Sequence, residues 1–187
     1  MAFRPQPPLD ESALRTAALD HLARRSDSEA GLARALARRV QRAIRAGRSR
    51  LADPDGAIAA VVADLAAKGL LSDRRYAEGR AAHLVRRGRS RMAILADLSA
   101  RGVARDDVDA ALADLGEREP DIERAAAVAY ARRRRLGPWR DAAARKAKRL
   151  ADLAALARAG FPGALCRWIV DAPTPDHCLN PDPDSLP

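Results

Sequence analysis

The sequence predicts an all-α protein in which three tandem three-helix repeats stack into an elongated, curved solenoid. Apolar residues recur at the spacing of one helical stripe between glycine and proline breaks, and no segment alternates apolar and polar residues as a half-buried strand does. A short residue pattern also returns at fixed offsets along the chain. Such periodicity is typical of stacked helical repeats, in which each unit packs mainly on its neighbours.

The clearest repeat lies between Gly69 and Gly102. Ser72 and Asp73 offer an N-cap directly after the helix stop at Gly69, and a second, short helix starts near Ser90 and ends at Gly102. The short helix places three apolar residues on one stripe, namely Ile94, Leu95 and Leu98. The repeating unit is therefore a helix, a basic turn and a second helix, and a third helix closes each copy.

An offset of 62 residues relates the first repeat to the second. It carries Ser28 to Ser90 and Leu36 to Leu98. Because the same offset relates a candidate helix cap and a candidate core residue, the two segments are expected to share one register. The leucines of this register are predicted to be buried.

The third repeat is longer than the second. Tyr130 lies 47 residues after His83, whereas Leu156 lies 58 residues after Leu98. The two offsets differ by 11 residues, which is about three turns of an α-helix. We therefore expect an insertion that lengthens the second helix of this repeat and keeps its apolar face in phase.

Five segments follow from this register. Residues 1–11 are rich in proline and are expected to be disordered, as are residues 172–187, which are rich in proline and aspartate. The first repeat is assigned to residues 12–73, the second to 74–120, and the third, with its lengthened second helix, to 121–171.

Helix punctuation inside the first repeat is also specific. Ser12 is a candidate N-cap for a helix that runs to about Arg25, and a second helix is expected to end at Gly47, before a mobile loop. The apolar stripes of these two helices predict eight inward-facing side chains: Leu14, Ala18, Leu19, Leu22, Leu32, Leu36, Val40 and Ile44.

The chain is strongly basic. It has 34 Lys and Arg against 25 Asp and Glu among 187 residues, which gives a formal net charge of +9. This balance favours a nucleic acid or another acidic polymer as the partner. An arginine- and alanine-rich proteome explains the composition equally well, because arginine outnumbers lysine 31 to 3.

Cysteine content and hydropathy limit the cellular compartments in which the protein is expected. Two cysteines are too few for a disulfide-stapled secreted domain, residues 1–11 do not form a secretory signal, and no stretch approaches the ~18 apolar residues of a membrane span. We expect a soluble, cytoplasmic, monomeric protein without membrane contact.

No catalytic or metal site is predicted. His21, His83 and Tyr130 fall at equivalent repeat positions, where a role in packing is favoured over catalysis. Cys166 aligns with a core position, and Cys178 lies in the tail that is expected to be unfolded. Phosphate loops, catalytic triads and paired carboxylates are not evident, so no enzyme activity and no cofactor are predicted.

The basic clusters are the remaining candidates for a binding site. Residues 121–170 hold 12 basic and 4 acidic residues, and a run of four arginines is self-repelling unless an acidic partner neutralises it. A solvated helix face accounts for about half of these charges. The candidate partner- or DNA-binding residues are Arg86, Arg87, Arg89, Arg91, Arg132, Arg133, Arg134, Arg135, Arg140, Arg145, Lys146, Lys148 and Arg149.

The run GLLSDRRYA, the later run SRMAILADLSARGV and the threefold repeat over roughly residues 12–170 resemble the RecX regulatory family, modulators of the RecA recombinase. The resemblance implies a non-enzymatic protein that binds in the groove of the RecA–DNA filament. It also implies an effect, usually inhibitory, on ATP hydrolysis, strand exchange and repressor cleavage, and hence a role in homologous recombination and the SOS response.

A second hypothesis remains beside the resemblance. The same arginines would serve an autonomous DNA-binding helical protein that contacts the phosphates of single- or double-stranded DNA without reading sequence. Binding to RecA filaments, compared with binding to bare DNA at physiological salt, separates the two hypotheses.

Overall fold

The computed structural model of the chain describes residues 7–118 and 121–180, which form ten α-helices and one 3₁₀ turn. The helices are α1 (Glu11–Arg24), α2 (Glu29–Arg45), α3 (Pro54–Ala67), α4 (Asp73–Arg86), α5 (Arg91–Ala100), α6 (Arg105–Arg118), α7 (Ile122–Arg134), α8 (Ala142–Arg158), α9 (Gly163–Val170) and α10 (Pro175–Leu179), with the 3₁₀ turn at Gly137–Trp139. Over these residues the only β-type pairing is an isolated parallel bridge between Leu9 and Ser49. The predicted all-α class is confirmed.

The described residues form two compact units. Residues up to Tyr76, together with Ala100–Asp107, make up the first unit. Ala77–Ser99, together with Val108 and the described residues beyond it, make up the second. Helices α4, α5 and α6 therefore contribute residues to both units, and the second predicted repeat is divided between the units.

Helices α1, α2 and α3 pack against one another in the first unit. Leu14, Leu32 and Leu36 of the predicted stripes lie in this core. Leu19 and Ile44 do not, since 41% and 44% of their surfaces are exposed. Ala18, which was predicted to face inward, and the smaller neighbours Ala17 and Ala43 occupy the inner face, which lets these helices approach closely.

Acidic and hydroxyl side chains cap the helices of the first unit. Asp10, not Ser12, caps α1 and accepts a hydrogen bond of 2.9 Å from the backbone N–H of Ala13. Ser28 caps α2 and Asp53 caps α3, each by accepting from the third residue after it at 3.0 Å. The predicted N-cap of α1 was wrong by two residues, because Asp10 and Ser12 are both favourable cap residues and the sequence does not decide between them.

Residues 7–10, which precede α1, are ordered, so the predicted disorder of residues 1–11 is wrong for residues 7–11. Leu9 is 4% exposed, donates its backbone N–H to the Arg48 carbonyl and accepts from Arg50, both at 2.9 Å. The loop after Gly47, which was expected to be mobile, supplies these two partners. Burial of one leucine and two backbone hydrogen bonds overcome the proline-rich composition; residues 1–6 lie outside the described residues.

Helices α7, α8 and α9 and the 3₁₀ turn pack together in the second unit. Cys166 is buried at 2% exposure, as its alignment with a core position predicts. Helix α8 has 17 residues against 10 in α5, so most of the expected insertion lengthens this helix. The remainder lies in the connection between α7 and α8, where Arg135 adopts a left-handed conformation with φ of 54°.

The segment after α9 is also ordered, which corrects the predicted disorder of residues 172–180. Residues 175–179 form α10, in which Cys178 is fully buried, and Ala172 is 2% exposed. The His177 ring lies 5.6 Å from the Trp168 ring. Apolar burial next to a threonine cap at Thr174 therefore outweighs the proline content; residues 181–187 lie outside the described part of the chain.

The same hydrogen bond occurs once in each unit. In the first unit, the Ser28 hydroxyl donates to the Arg101 carbonyl at 2.8 Å, and in the second, the Ser90 hydroxyl donates to the Ala159 carbonyl at 2.6 Å. Both serines are almost fully buried. Each serine also accepts from the backbone N–H three residues later, at 3.0 and 3.2 Å, so one side chain caps its helix and fixes a neighbouring one. We call this arrangement the serine joint.

A glycine completes each serine joint. Gly102 has φ of +82°, and a Cβ built on it would lie 2.5 Å from the Cβ of Ala30. Gly160 has φ of +88°, and its Cβ would lie 2.7 Å from the Ser90 hydroxyl oxygen. Both the left-handed backbone and the close approach therefore require glycine at these two positions.

Leu98→Ala is expected to reduce the free energy of unfolding by about 2–5 kcal/mol, because the side chain is fully buried and its removal leaves a cavity. Leu150, which is 76% exposed, supplies the control: Leu150→Ala should change stability by less than about 0.5 kcal/mol. Chemical denaturation of both variants measures the difference. Equal stabilities would contradict the register that places Leu98 in the core.

Candidate partner-binding surface

A depression of about 510 Å³, lined by several arginines, opens on the second unit, and we call it the basic groove. Three cations line it: Arg89 follows α4, Arg134 ends α7 and Arg158 ends α8. The remaining lining residues are Gly88, Ala93, Tyr130, Leu136, Ala155 and Ala159. Three helix C-termini therefore bring three guanidinium groups to one depression.

Close backbone packing forms one wall of the basic groove. Gly88 has φ of +67°, and a Cβ there would lie 2.8 Å from the Tyr130 backbone nitrogen and 2.9 Å from the Ala126 carbonyl oxygen. Only glycine permits this approach of the α4 turn to α7. Arg133 reinforces the contact by donating to the Arg87 carbonyl at 2.6 Å.

Tyr130 forms the floor on which two arginines rest. Its ring meets Phe161 edge to face at a centroid distance of 5.7 Å. The guanidinium carbons of Arg133 and Arg134 lie 5.9 and 5.6 Å from its centroid, within the range of a cation–π interaction. The tyrosine thus holds the ends of two long side chains near the groove, at a position equivalent to His83 of the preceding repeat.

No carboxylate is among the residues that line the basic groove. Cations at helix C-termini are favourable with the helix dipole, which explains why each arginine is tolerated alone. The dipole does not remove the mutual repulsion of three like charges. A ligand with several negative charges, such as a run of carboxylates or phosphates, would relieve that repulsion.

Arg140 was a candidate binding residue, but the structure assigns it a structural role. Its guanidinium donates twice to the carboxylate of Asp152, at 2.6 and 3.0 Å, and the Gly137 N–H donates to the same carboxylate at 2.9 Å. Asp152 is only 2% exposed. Burial alone would raise the pKa of Asp152, but these hydrogen bonds and the charges of Arg140 and Lys148 lower it below the usual value.

Two further candidates hold the C-terminal segment. Arg145 donates to the carbonyl oxygens of Ala172 and Pro173, the latter at 2.9 Å. Arg149 forms a bidentate pair with Asp171, at 2.6 and 2.7 Å. The hydrogen bond and charge of Arg149 lower the pKa of Asp171. These arginines are therefore already occupied by the chain itself.

The other candidates remain available to solvent. Arg91 makes only a loose pair with Asp109, at 3.8 Å. Among residues 7–118 and 121–180, nine candidates are exposed and make no ion pair with a carboxylate: Arg86, Arg87, Arg89, Arg132, Arg133, Arg134, Arg135, Lys146 and Lys148. Of these, only Arg89 and Arg134 line the basic groove.

Sequence reasoning missed Arg158. It is an isolated cation in an alanine-rich stretch, so no charge run marks it. Its position in the last turn of α8, two residues before the Gly160 stop, is a signal that was present, because a cation in the last turn of a helix is favourable with the helix dipole.

The histidines and cysteines have structural environments. His21 lies 2.9 Å from the Asp27 carboxylate and His83 is exposed. Burial raises the pKa of the Cys178 thiol to about 11, so it stays protonated and unreactive at neutral pH. Within the described ranges, no group of three or more His, Cys, Asp and Glu side chains is arranged to hold a metal ion, and no helix is long and apolar enough to cross a membrane.

Comparison with known proteins identifies the family. The family model described as RecX, second three-helix domain, matches residues 72–112. The regulatory protein RecX of Myxococcus xanthus (strain DK1622) is 38% identical over 160 residues, which cover 85% of this chain and 84% of the relative. The chain belongs to the RecX family. It is therefore a member of a family of regulatory proteins.

Two further comparisons agree with the RecX assignment. The regulatory protein RecX of Ectopseudomonas mendocina (strain ymp) is 38% identical over 104 residues, or 56% of this chain and 61% of the relative. A crystal structure of a regulatory protein RecX matches with a TM-score of 0.61 at 17% identity, covering 91% of this chain and 82% of that one. The second match supports the RecX fold alone, since its sequence identity is low.

Proposed function

We propose that this RecX-family protein binds the filament of the RecA recombinase on DNA, in the cytoplasm, and lowers its activities in homologous recombination and the SOS response. Membership of the RecX family, over 85% of the chain, carries the proposal.

The basic groove supplies the contact: its three arginines meet acidic side chains of the recombinase.

The chemistry of the groove suits such a partner. Guanidinium groups bind carboxylates in two-point geometry, and an exposed groove lets the partner enter without displacing core residues. Arg134 is held on the Tyr130 ring, so less side-chain freedom is lost when it binds. The protein then acts by occupying sites on the filament, and we expect occupation to slow the recombinase, as the family resemblance implies.

If this protein acts by occupying sites on the filament, its effect should depend on the ratio of bound protein to recombinase. Filaments assembled on single-stranded DNA with a slowly hydrolysed ATP analogue should pull this protein down on sedimentation, and bound protein should saturate in proportion to recombinase. With ATP, hydrolysis by the recombinase should fall as the sites fill, while this protein alone shows no turnover.

Three outcomes would contradict the proposal. The first is sedimentation of this protein with bare DNA but no additional binding to filaments. The second is full ATP hydrolysis at saturating occupancy. The third is ATPase, nuclease or protease activity that survives purification and is lost on substitution of a residue of this chain.

A further inference from the structure

A row of arginines follows the exposed face of α2, in the first unit. Arg34, Arg38, Arg42 and Arg45 are separated by four, four and three residues, so they lie within an arc of about 80° on one side of the helix. The opposite side of α2 carries Leu32, Leu36, Val40 and Ala43, which are buried in the core of this unit. We call the four arginines the α2 row.

Local sequence offers the α2 row no compensating charge. Between Glu29 and Asp53 the chain holds seven arginines and no acidic residue. Like charges three and four residues apart destabilise a helix. The row was not apparent from the net charge of the first repeat, because its acidic residues lie outside this stretch and balance the total.

Tertiary structure supplies no carboxylate either. Across the described part of the chain, Arg38, Arg42 and Arg45 are exposed and make no ion pair or side-chain hydrogen bond. Arg34 donates only to a carbonyl oxygen, that of Arg101, at 3.1 Å. Arg15 of the same unit shows the contrast, since it pairs with Asp64 at 2.5 Å.

The composition of the row distinguishes between two kinds of acidic partner. Stable protein interfaces have an apolar centre with aromatic or aliphatic anchors. The α2 row itself has none: the polar Gln41 lies beside its arginines, and the exposed aliphatic residue of this helix, Ile44, lies about 80° around the helix from the edge of the row. A phosphodiester backbone requires only cations and hydrogen-bond donors, and arginine is the commonest side chain to provide both.

The length of the row fits several phosphates. Eleven residues separate Arg34 from Arg45, which is about 16 Å along the helix axis. The same distance spans about five nucleotides of one strand of a duplex, at ~3.4 Å each. We propose that the α2 row is a nucleic-acid site that binds the phosphate backbone without reading sequence.

This site is distinct in residues and ligand from the basic groove. The proposed function requires the groove to bind carboxylates of a protein, whereas the α2 row binds phosphates of nucleic acid. Bare DNA without recombinase therefore tests the row alone, and the outcome does not depend on whether filament binding is found.

The test measures binding of the full chain to a fluorescent oligothymidine and to a random-sequence duplex, by anisotropy between about 50 and 200 mM salt. In Arg38→Gln/Arg42→Gln/Arg45→Gln, affinity at ~100 mM salt should fall at least about tenfold for both ligands. The log–log salt slope should flatten by ~2 for the single strand and ~2.7 for the duplex, since each lost phosphate contact contributes about 0.7 and 0.9.

Two controls make the result specific. Arg15→Gln/Arg24→Gln/Lys68→Gln changes the net charge equally at cations that lie off α2, and its slope should stay close to that of the wild type. Arg38→Lys/Arg42→Lys/Arg45→Lys keeps the charge and should retain most of the slope. Circular dichroism verifies the helices, and the single variants Arg38→Gln and Arg42→Gln replace the triple variant if it unfolds.

Specific outcomes would overturn the proposal. An unchanged slope in the glutamine variant shows that the row does not contact phosphates. An equal loss in the off-helix control shows an effect of net charge only. Loss of filament binding with intact binding to both bare DNA ligands shows that the row contacts an acidic protein surface instead.

Discussion

Charge reversal in the basic groove should weaken binding to recombinase filaments by roughly 100-fold or more. Arg89→Glu/Arg134→Glu/Arg158→Glu removes the three guanidinium groups that line the groove and replaces them with carboxylates. Three lost contacts of about 1 kcal/mol each correspond to about two decades in affinity, before any repulsion is added. Sedimentation with filaments over a range of protein concentration measures the loss.

A matched variant separates the groove from net charge. Arg132→Glu/Arg135→Glu/Lys146→Glu alters the same number of exposed cations in the same unit, outside the groove lining. It should bind filaments within a few-fold of the wild type. If both variants fail equally, long-range charge and not the groove controls binding.

Fold integrity needs its own measurement for the groove variant. Each glutamate lies at or just after a helix C-terminus, where an anion is unfavourable by about 0.3–1 kcal/mol. A modest fall in thermal midpoint is therefore expected. The neutral variant Arg89→Gln/Arg134→Gln/Arg158→Gln avoids most of this cost, and it should still lose most filament binding; full binding by a folded neutral variant would remove the groove from consideration.

Arg140→Ala should lower the free energy of unfolding by about 3–5 kcal/mol. The substitution leaves the Asp152 carboxylate, which is 2% exposed, with only the Gly137 N–H as a partner. Removing one partner of a buried ion pair lowers the free energy of unfolding by this amount, because the remaining charge stays buried without an opposite charge. Arg149→Ala is the control: its pair with Asp171 is exposed, so about 0–1 kcal/mol is expected.

The Arg140–Asp152 pair also predicts that stability depends on pH. The folded pKa of Asp152 is lowered, so the pair contributes stability that is fully present above the unfolded value of ~3.9 and is lost as pH falls through the folded pKa. In Arg140→Ala the carboxyl group loses its cation, and burial then raises its pKa. Denaturation at several pH values should show the variant gaining stability relative to the wild type as pH falls through the raised pKa of the variant, which lies above about 4, and on to the lowered pKa of the wild type. A constant difference between the two would exclude this coupling.

Much of the fold could be predicted from residue spacing. The positions of Leu36, Leu98 and Leu156 in one register identified three buried leucines, because an apolar side chain that recurs at an equivalent position of each helical stripe has few alternatives to burial. Leu19 and Ile44 were wrongly predicted to be buried, because a large aliphatic residue and an adjacent alanine compete for the inner face of a helix. Packing decides that competition, and spacing alone does not.

The chain ends were misjudged for a related reason. Composition describes a segment on its own, whereas Leu9 and Cys178 are ordered by the surfaces that receive them. Proline content gave no information about those surfaces. Tertiary burial therefore explains why order extends beyond both predicted boundaries.

The candidate site was predicted only in part. Charge runs led to Arg132–Arg135 and to the basic residues of α8, but they could not distinguish Arg134, which lines the groove, from Arg140, which is bound to a buried carboxylate. That distinction depends on residues distant in sequence. Arg158 and the α2 row show the opposite limitation, because a total charge per repeat conceals how the charges are distributed.

The serine joint has a consequence for how such a chain can change length. The predicted second repeat, residues 74–120, contains the Arg101 carbonyl that receives Ser28 and also Ser90, whose hydroxyl reaches Ala159. A tandem duplication of this repeat would therefore carry a complete acceptor at one end and a complete donor at the other. Gly102, which permits the close approach at the joint, would be copied with it. Gene duplication could thus add whole modules without new complementary residues having to arise by mutation, whereas a partial duplication would leave a buried hydroxyl unpaired.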